Sequence, residues 1–223
     1  MNYASKADVP LAASTPTAHL IGSPNTELMT AWYIMQTAQK PNHVSVYQHY
    51  KVCCEQLGIS GISDSIDQMI VLDYLIANED RHQNNFGMIR NANTLEYLGV
   101  APVYDSGSSL WFSKPLSMIG SRTKLVCKPF KSKHEEQIKL VKSFDWLDLS
   151  KLKGIGDEFA DILTGSLFID AARKGALCKA LEKRINMLED IIGKQNHLYH
   201  IDNILDDVSK DQAYSSTTTN NLV

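Results

Sequence analysis

The stretch SDSIDQMIVLDYLIAN, residues 63–78, constrains the fold more than any other part of the chain. Its apolar residues recur at helical spacing but cover most of the helix circumference; they are Ile66, Met69, Ile70, Leu72, Leu75 and Ile76. A helix of this kind must be surrounded by protein. We therefore predict a central core helix, and 223 residues, 43% of them hydrophobic, suffice for one sizeable core around it.

Shorter patterns on both sides of this run predict further helices and one hairpin. The helices are predicted in NTELMTAWYIMQTAQ from Asn25, in SVYQHYKVCCEQLG with Gly58 as the stop, in DWLDLSKLKG, in DEFADILTGSLF and in IDAARKGALCKALEKRINMLEDIIGKQ. The segments FGMI and LEYLGVAPVY, joined by the turn-forming RNANT, predict a β-hairpin. Residues 112–142 have no regular pattern. The predicted fold class is α+β and mostly α-helical.

The two ends of the sequence differ in composition from the middle. Residues 1–24 are rich in Ala, Ser, Thr and Pro, which predicts an extended or disordered arm. Residues 201–223 are largely polar, which predicts a disordered tail. The expected folded region is therefore residues 25–200.

Charge, cysteine spacing and hydropathy bear on three properties: nucleic-acid binding, the state of the thiols and membrane association. Lys and Arg total 22 against 25 Asp and Glu, a formal charge of −3, so no direct nucleic-acid partner is predicted. None of the four cysteines has CxxC spacing, which favours reduced, mostly buried thiols. The N-terminus lacks a signal-peptide pattern, and no apolar run approaches the roughly 20 residues that span a bilayer. We expect a cytoplasmic protein without a membrane partner.

The most polar loop follows the core helix directly, in ANEDRHQNNFGMIR at residues 77–90. Asp80 and Asn85 have the D-x-x-x-x-N spacing of a phosphotransfer loop, in which the Asp orients a hydroxyl and the Asn binds magnesium. Asp105 supplies a hard carboxylate, and Gly107 completes a D-x-G pattern after the hairpin. One Asp, one Asn and nucleotide phosphates suit Mg²⁺. This pattern predicts a site for Mg²⁺ and ATP.

The same residues carry a family resemblance. NEDRHQNNF followed by APVYDSGSSLW resembles the catalytic core of the bacterial HipA-like serine/threonine kinases, and DRHxxN is also similar to phosphoinositide lipid kinases. KPF at residues 128–130 and the helix LEKRINMLE favour the HipA-like family, over about residues 25–195. The resemblance implies a protein-kinase-like C-lobe with a small catalytic β-hairpin, acting on a protein substrate.

The resemblance also assigns roles residue by residue. Asp80 matches the catalytic aspartate, Asn85 and Asp105 the metal-binding pair, and Gly107 the D-x-G glycine of the cofactor site. His82 falls at a family histidine of the catalytic loop, where bracing the loop is favoured over acting as a base. Toxin–antitoxin function, with an antitoxin as a partner chain, is conceivable from the family alone.

The chain departs from the family before Asn25, where a complete kinase has a glycine-rich strand turn and a strand lysine. That region has one glycine, Gly22, and one lysine, Lys6. The expectation is therefore an ATP-dependent kinase C-lobe without an evident N-lobe. The alternatives are a silent pseudokinase, half of a split kinase with an N-lobe partner, a decayed remnant, or, less favoured, a lipid-directed kinase.

Each assignment has a structural alternative. Asp80 alone could be a turn residue. Arg81 could contact phosphate, but an ion pair with Glu79 or another loop carboxylate is the simpler reading. The basic segment from Arg122 to Lys142 lies where an activation segment would follow Asp105, yet charge runs usually face water.

Overall fold

The computed structural model describes residues 25–121 and 125–218. In chain order the elements are β1 (Thr26–Thr30), α1 (Ala31–Met35), α2 (Val46–Gln56), α3 (Ile62–Leu75), β2 (Gly87–Asn91), β3 (Tyr97–Val100), α4 (His134–Gln137), α5 (Ile155–Thr164) and α6 (Ala171–Thr218). Short 3-10 turns occupy Leu116–Met118, Ile138–Leu140 and Leu149–Leu152. Within these ranges the fold is mostly helical with one three-stranded antiparallel sheet, which confirms the predicted class. The predicted arm, residues 1–24, lies outside the described residues.

Helix α3 is the predicted core helix. Ile66, Ile70 and Val71 are 2% exposed or less, and the core packed around them draws residues from α1, α2, β2 and α6. Two carboxylates of the same helix, Asp67 and Asp73, are also buried. Asp67 accepts hydrogen bonds from the backbone N–H groups of Lys142 and Ser143, so part of its polar side chain is satisfied.

Helix α2 begins and ends where its sequence predicts. The Ser45 hydroxyl accepts from the backbone N–H of Gln48, and the Gln48 side chain accepts from the Ser45 N–H, which is a capping box. After the helix, Gly58 has φ +74°, a conformation in which glycine lacks the Cβ penalty. Local sequence therefore sets both ends of α2.

The first predicted helix, over residues 25–39, is wrong over its first six and its last four residues. Thr26–Thr30 forms β1, which pairs antiparallel with β2 in the register Glu27 to Arg90, and only Ala31–Met35 is helical. Leu28, placed on a buried helical stripe by its spacing, is 42% exposed. The edge of the β2–β3 hairpin offers unpaired backbone groups to this segment, and pairing with them outweighs a weak local helix preference.

The predicted hairpin is confirmed. Strands β2 and β3 pair antiparallel with Met88 opposite Val100, and a register shift lies between Ile89 and Arg90. The Asn91 side chain accepts from the backbone N–H groups of Asn93 and Thr94, which closes the turn. The sheet order is β1–β2–β3, so β2 is the central strand. It directly follows the polar loop and is the first strand of the hairpin.

Gly87 provides a test of this sheet. A Cβ at this position would lie 2.1 Å from the Met29 carbonyl oxygen and 2.8 Å from the Thr30 Cα, both backbone atoms of β1. We expect Gly87→Ala to lower the free energy of unfolding by about 1–3 kcal/mol, because overpacking forces the strands apart. Urea denaturation measures the change. Gly107→Ala is the matched control, since a Cβ there meets no atom within 4 Å, and an equal loss in both variants would contradict the prediction.

Two of the three predicted C-terminal helices are present as α5 and α6, whereas DWLDLSKLKG forms only the 3-10 turn Leu149–Leu152. Helix α6 runs further than predicted. The apolar spacing of its sequence predicts a buried stripe of Ala172, Leu177, Leu181, Ile185, Leu188 and Ile192. Leu177, Leu181, Leu188 and Ile192 are buried and Ile185 is partly buried, whereas Ala172 is exposed. The helix continues to Thr218, so residues 201–218 have a helical backbone in place of the predicted disordered tail. Extending an anchored helix adds one hydrogen bond per ordered residue, and no Gly or Pro interrupts residues 194–218.

Two further expectations concern the thiols and the membrane. All four cysteines are free; Cys53, Cys54 and Cys127 are buried, and Cys178 is partly exposed. Among the described residues, no helix has both the length and the apolar character needed to cross a bilayer.

Candidate active site

The polar loop is fastened to α3 at its first residues. Ala77 has φ +53° and turns the chain away from the helix. The fully buried Asn78 then donates from Nδ2 to Asp73 Oδ1 at 2.9 Å, while its Oδ1 accepts from the Asp80 N–H at 3.1 Å. One amide therefore links the core helix to the backbone of Asp80.

Arg81 joins the loop to the segment that carries Asp105. Its buried guanidinium forms a bidentate ion pair with Asp73, with Nε 3.0 Å from Oδ2 and Nη2 2.9 Å from Oδ1. Nη1 donates to the Asn85 carbonyl at 2.8 Å and also to the Tyr104 carbonyl. The backbone next to Asp105 and the backbone of Asn85 therefore meet at one nitrogen atom.

The ion pair of Arg81 differs from the predicted one, which joined Arg81 to Glu79 or another carboxylate of the loop. Its partner is Asp73 of α3, whereas Glu79 pairs with Lys114 at 3.1 Å. Arg81 is 0% exposed, so it connects parts of the protein interior and does not reach a phosphate in an open cleft. Sequence reasoning missed Asp73; the available signal was an acid within the apolar run from Met69 to Leu75.

The Asp73 carboxyl is subject to two opposing influences. Burial raises its pKa above the ordinary value, but hydrogen bonds from Arg81 and Asn78, together with the Arg81 charge, act in the opposite direction. A buried carboxylate with a paired guanidinium is stable only while both partners are present. Asp73 and Arg81 thus form a charged core beneath the polar loop.

Asp80 lies at the open end of the loop and has an unpredicted partner. Lys128 Nζ donates to Asp80 Oδ1 at 2.7 Å, and the two side chains are about half exposed. The hydrogen bond from Lys128 is the main cause that lowers the pKa of Asp80. Lys128 lies in the KPF segment, so the resemblance pointed to the segment without assigning this role.

Asn85, which is 5% exposed, uses its amide nitrogen within the loop. Its Nδ2 donates to the Asp80 carbonyl at 3.0 Å, so Oδ1 is the amide atom that would serve as a cation ligand. Asp105 is exposed and has φ +52°, so the left-handed residue of the turn is Asp105 and Gly107 does not adopt that conformation. The turn therefore does not use the conformational freedom predicted for Gly107.

The donor set suits magnesium. Carboxylate and amide oxygens are ligands that Mg²⁺ accepts, and it keeps several positions for water or phosphate. Among the described residues, no three His, Cys, Asp or Glu side chains are grouped as a metal cage. A cation held by Asn85 and Asp105 would therefore depend on nucleotide phosphates for further ligands.

His82 braces the loop in the structure. Its Nδ1 accepts from the Asn84 N–H at 3.2 Å, and its backbone N–H donates to the Asp80 carbonyl at 2.8 Å. Asn84 in turn accepts from the Thr30 hydroxyl through its side chain and from the Tyr104 hydroxyl through its carbonyl. These contacts tie the loop to β1 and to the segment before Asp105.

An open groove of about 310 Å³ lies beside the loop. Its walls are formed by Trp32, His82, Gln83, Asn84, Lys128 and Pro129. In the predicted basic segment, Lys131, Lys133, Lys139 and Lys142 are exposed as the simpler reading expects, and residues 122–124 lie outside the described ranges. Lys128 alone among these named lysines contacts Asp80.

Comparison with known proteins supports the fold assignment. No family model matches the chain. A 43-residue segment, 19% of the chain, is 46% identical to the serine/threonine-protein kinase CtkA of Helicobacter pylori, and this match spans only 13% of that relative's length. The crystal structure of a Helicobacter pylori proinflammatory kinase CtkA is similar over 82% of the present chain and 75% of the CtkA chain. The sequence identity is 16% and the TM-score is 0.52. The chain therefore has a kinase-like fold.

Proposed function

We propose that the chain is the C-terminal lobe of a HipA-like serine/threonine kinase that transfers the γ-phosphate of Mg-ATP to a protein hydroxyl. The observation that carries the proposal is the Arg81 junction, because one guanidinium holds the Asn85 loop against the backbone preceding Asp105. The D-x-x-x-x-N spacing, the kinase-like fold and the local identity to a serine/threonine kinase support the same reading.

The proposed reaction assigns one task to each of Asp80, Asn85 and Asp105. The acceptor hydroxyl oxygen attacks the γ-phosphorus, an O–P bond forms, and the bond between that phosphorus and the bridging oxygen of ADP breaks. The Asp80 carboxylate orients the hydroxyl and accepts its proton. Asn85 and Asp105 would hold Mg²⁺, which when bound supplies positive charge to the phosphate oxygens. The depressed pKa of Asp80 keeps its carboxylate ionised at neutral pH.

The proposal requires a lobe that covers the nucleotide. Strands β1, β2 and β3 contain no lysine, and no glycine-rich turn joins β2 to β3 within the described residues. Such a lobe would come from residues outside those ranges or from a partner chain. This observation favours a second candidate function, a silent or split kinase half that acts only with an N-lobe partner. An antitoxin partner stays an expectation from the family alone.

Thermal unfolding with ligands tests the proposed site. We expect ATP and Mg²⁺ together to stabilise the chain, by about 2.7 kcal/mol at ligand 100-fold above its dissociation constant. Asp105→Ala should lose the part of this shift that depends on Mg²⁺, because Asp105 supplies the carboxylate ligand. Asp80→Asn should keep the shift but lower phosphoryl transfer from ATP to β-casein by about 10²–10⁴-fold.

Asp145→Asn is the matched control, since Asp145 is exposed and lies outside the loop and the D-x-G segment. Equal transfer by the wild type and Asp80→Asn would overturn the assigned chemistry. A chain that binds Mg-ATP without transfer supports the silent-kinase alternative. A chain that neither binds nor transfers alone, but does both with a co-purified N-lobe, supports the split kinase.

A further inference from the structure

The loop that carries Asp80 has no lysine of its own. From Asp80 to Asn85 its only lysine or arginine is Arg81, whose guanidinium is fully buried and committed to Asp73 and to two backbone carbonyls. A carboxylate that must hold a hydroxyl beside a triphosphate needs compensating positive charge nearby, because the phosphoryl group carries charge throughout transfer. The structure supplies that charge from Lys128, 48 residues further along the chain.

Lys128 is held at this place by its own backbone. The Gln137 side chain, 1% exposed, donates from Nε2 to the Lys128 carbonyl at 2.8 Å. Its Oε1 accepts from the backbone N–H groups of Phe130 and Lys131 at 3.0 and 3.1 Å. One buried amide thus makes three hydrogen bonds that set the course of the segment from Lys128 to Lys131.

An aromatic cluster anchors the same segment from the other side. The Phe130 ring packs edge-on against Tyr47, with ring centroids 5.2 Å apart, and against Phe86 at 5.9 Å. Phe86 packs in the same manner on Tyr50 and directly follows Asn85. The segment with Lys128 and the loop with Asp80 therefore pack on one shared aromatic cluster.

Building on the proposed function, we propose that Lys128 is a positioning residue for phosphoryl transfer, which orients the Asp80 carboxylate through Oδ1 and leaves Oδ2 for the acceptor hydroxyl. Lys128 also lines the groove formed with Trp32, His82 and Pro129. Lys128 therefore belongs both to the ion pair with Asp80 and to the groove lining. No bond to Lys128 forms or breaks in this role.

The test compares three variants of the full chain. Lys128→Met should lower kcat for transfer from Mg-ATP to β-casein on the order of 100-fold, with little change in KM for ATP. Lys128→Arg should retain most of the activity, because arginine keeps a charge that can reach a carboxylate. Lys131→Met is the matched control, since Lys131 lies in the same turn and is exposed, and it should transfer like the wild type.

A second readout separates positioning from a general loss of structure. Titration of the ¹³C-labelled Asp80 carboxyl should show a higher pKa in Lys128→Met than in the wild type, because Lys128 is the main group that lowers it, with a smaller effect from His82. The acid limb of kcat against pH should move to higher pH in the same variant. Neither change should appear in Lys131→Met.

The outcomes distinguish this inference from the proposed function. An active wild type with equal kcat in Lys128→Met, or with an unchanged Asp80 titration, overturns the role of Lys128 and leaves the kinase assignment intact. A wild type that transfers no phosphate, alone or with an N-lobe partner, overturns the proposed function and this role together. Reduced kcat, a raised Asp80 pKa and rescue by Lys128→Arg support the role.

Discussion

Arg81→Met is expected to lower the free energy of unfolding by about 3–5 kcal/mol, because it leaves the Asp73 carboxylate buried without its charge partner. The ion pair is inside the core, since both side chains are 1% exposed or less. The substitution also removes the donor to the Asn85 and Tyr104 carbonyls and to the Ser106 hydroxyl. Chemical denaturation at pH 7 measures the loss.

The pH dependence of this loss identifies its cause. Without Arg81, the pKa of the buried Asp73 in the folded state rises further above its unfolded value. The unfolded state then releases a proton that the folded state retains, so the penalty grows as pH rises and shrinks as pH falls. Adding Asp73→Asn to Arg81→Met should remove that dependence. A penalty that does not vary with pH in Arg81→Met would show that lost packing, and not the orphaned charge, causes it.

A surface arginine provides the comparison. Arg90 pairs with Glu27 across β1 and β2, with Nε 2.9 Å from Oε1, and the Glu27 side chain is 41% exposed. Arg90→Met should cost only about 0–1 kcal/mol, because water and salt screen an exposed pair. A similar loss of stability in Arg81→Met and Arg90→Met would contradict the claim that burial makes the Arg81 pair the more costly one to break.

His134 is expected to make the fold sensitive to acid. The ring is 1% exposed, bonds the backbone of Asn78 and packs edge-on against Tyr74. Burial, aided by the nearby Arg184 cation, lowers the pKa of His134 to about 3. Below about pH 6.5 the His134 imidazole binds a proton in the unfolded chain but stays neutral in the folded chain. Stability therefore falls as pH falls, by about 1.4 kcal/mol per unit, or about 3 kcal/mol by pH 4.5.

Urea denaturation between pH 7 and 4.5 measures this slope. His134→Asn should flatten the decline relative to the wild type, whatever its effect on stability at pH 7, because asparagine does not titrate. His43→Asn is the matched control, since His43 is exposed. An unchanged slope in His134→Asn would show that other groups carry the acid sensitivity.

His134 also shows a limit of sequence reading. Its segment, HEEQ, has the polar composition of a solvated loop, yet His134 and Gln137 are both buried and both support the candidate site. His134 bonds the first residues of the polar loop, and Gln137 sets the turn that carries Lys128. Nothing in the local pattern distinguishes these two polar residues from their exposed neighbours Glu135 and Glu136.

Where spacing along the chain was the physical cause, the sequence by itself determined the result. The apolar circumference of α3, the capping box of α2 and the turn-forming residues of the hairpin act within a few residues of one another. The D-x-x-x-x-N spacing likewise placed Asp80 and Asn85 in one loop, where the Asn85 amide reaches the Asp80 carbonyl. Local geometry is enough for each of these features.

The tertiary structure alone decided which distant groups meet. Residues 26–30 became a strand because the hairpin edge offered backbone partners, and Arg81 took Asp73 because that carboxylate is buried beside it. Lys128 reached Asp80 across 48 residues because Gln137 and Phe130 hold its turn against the loop. Burial makes the partnership of Arg81 and Asp73 obligatory, whereas the half-exposed pair of Lys128 and Asp80 depends on how its two segments pack. Both are properties of the packed chain that residue order does not express.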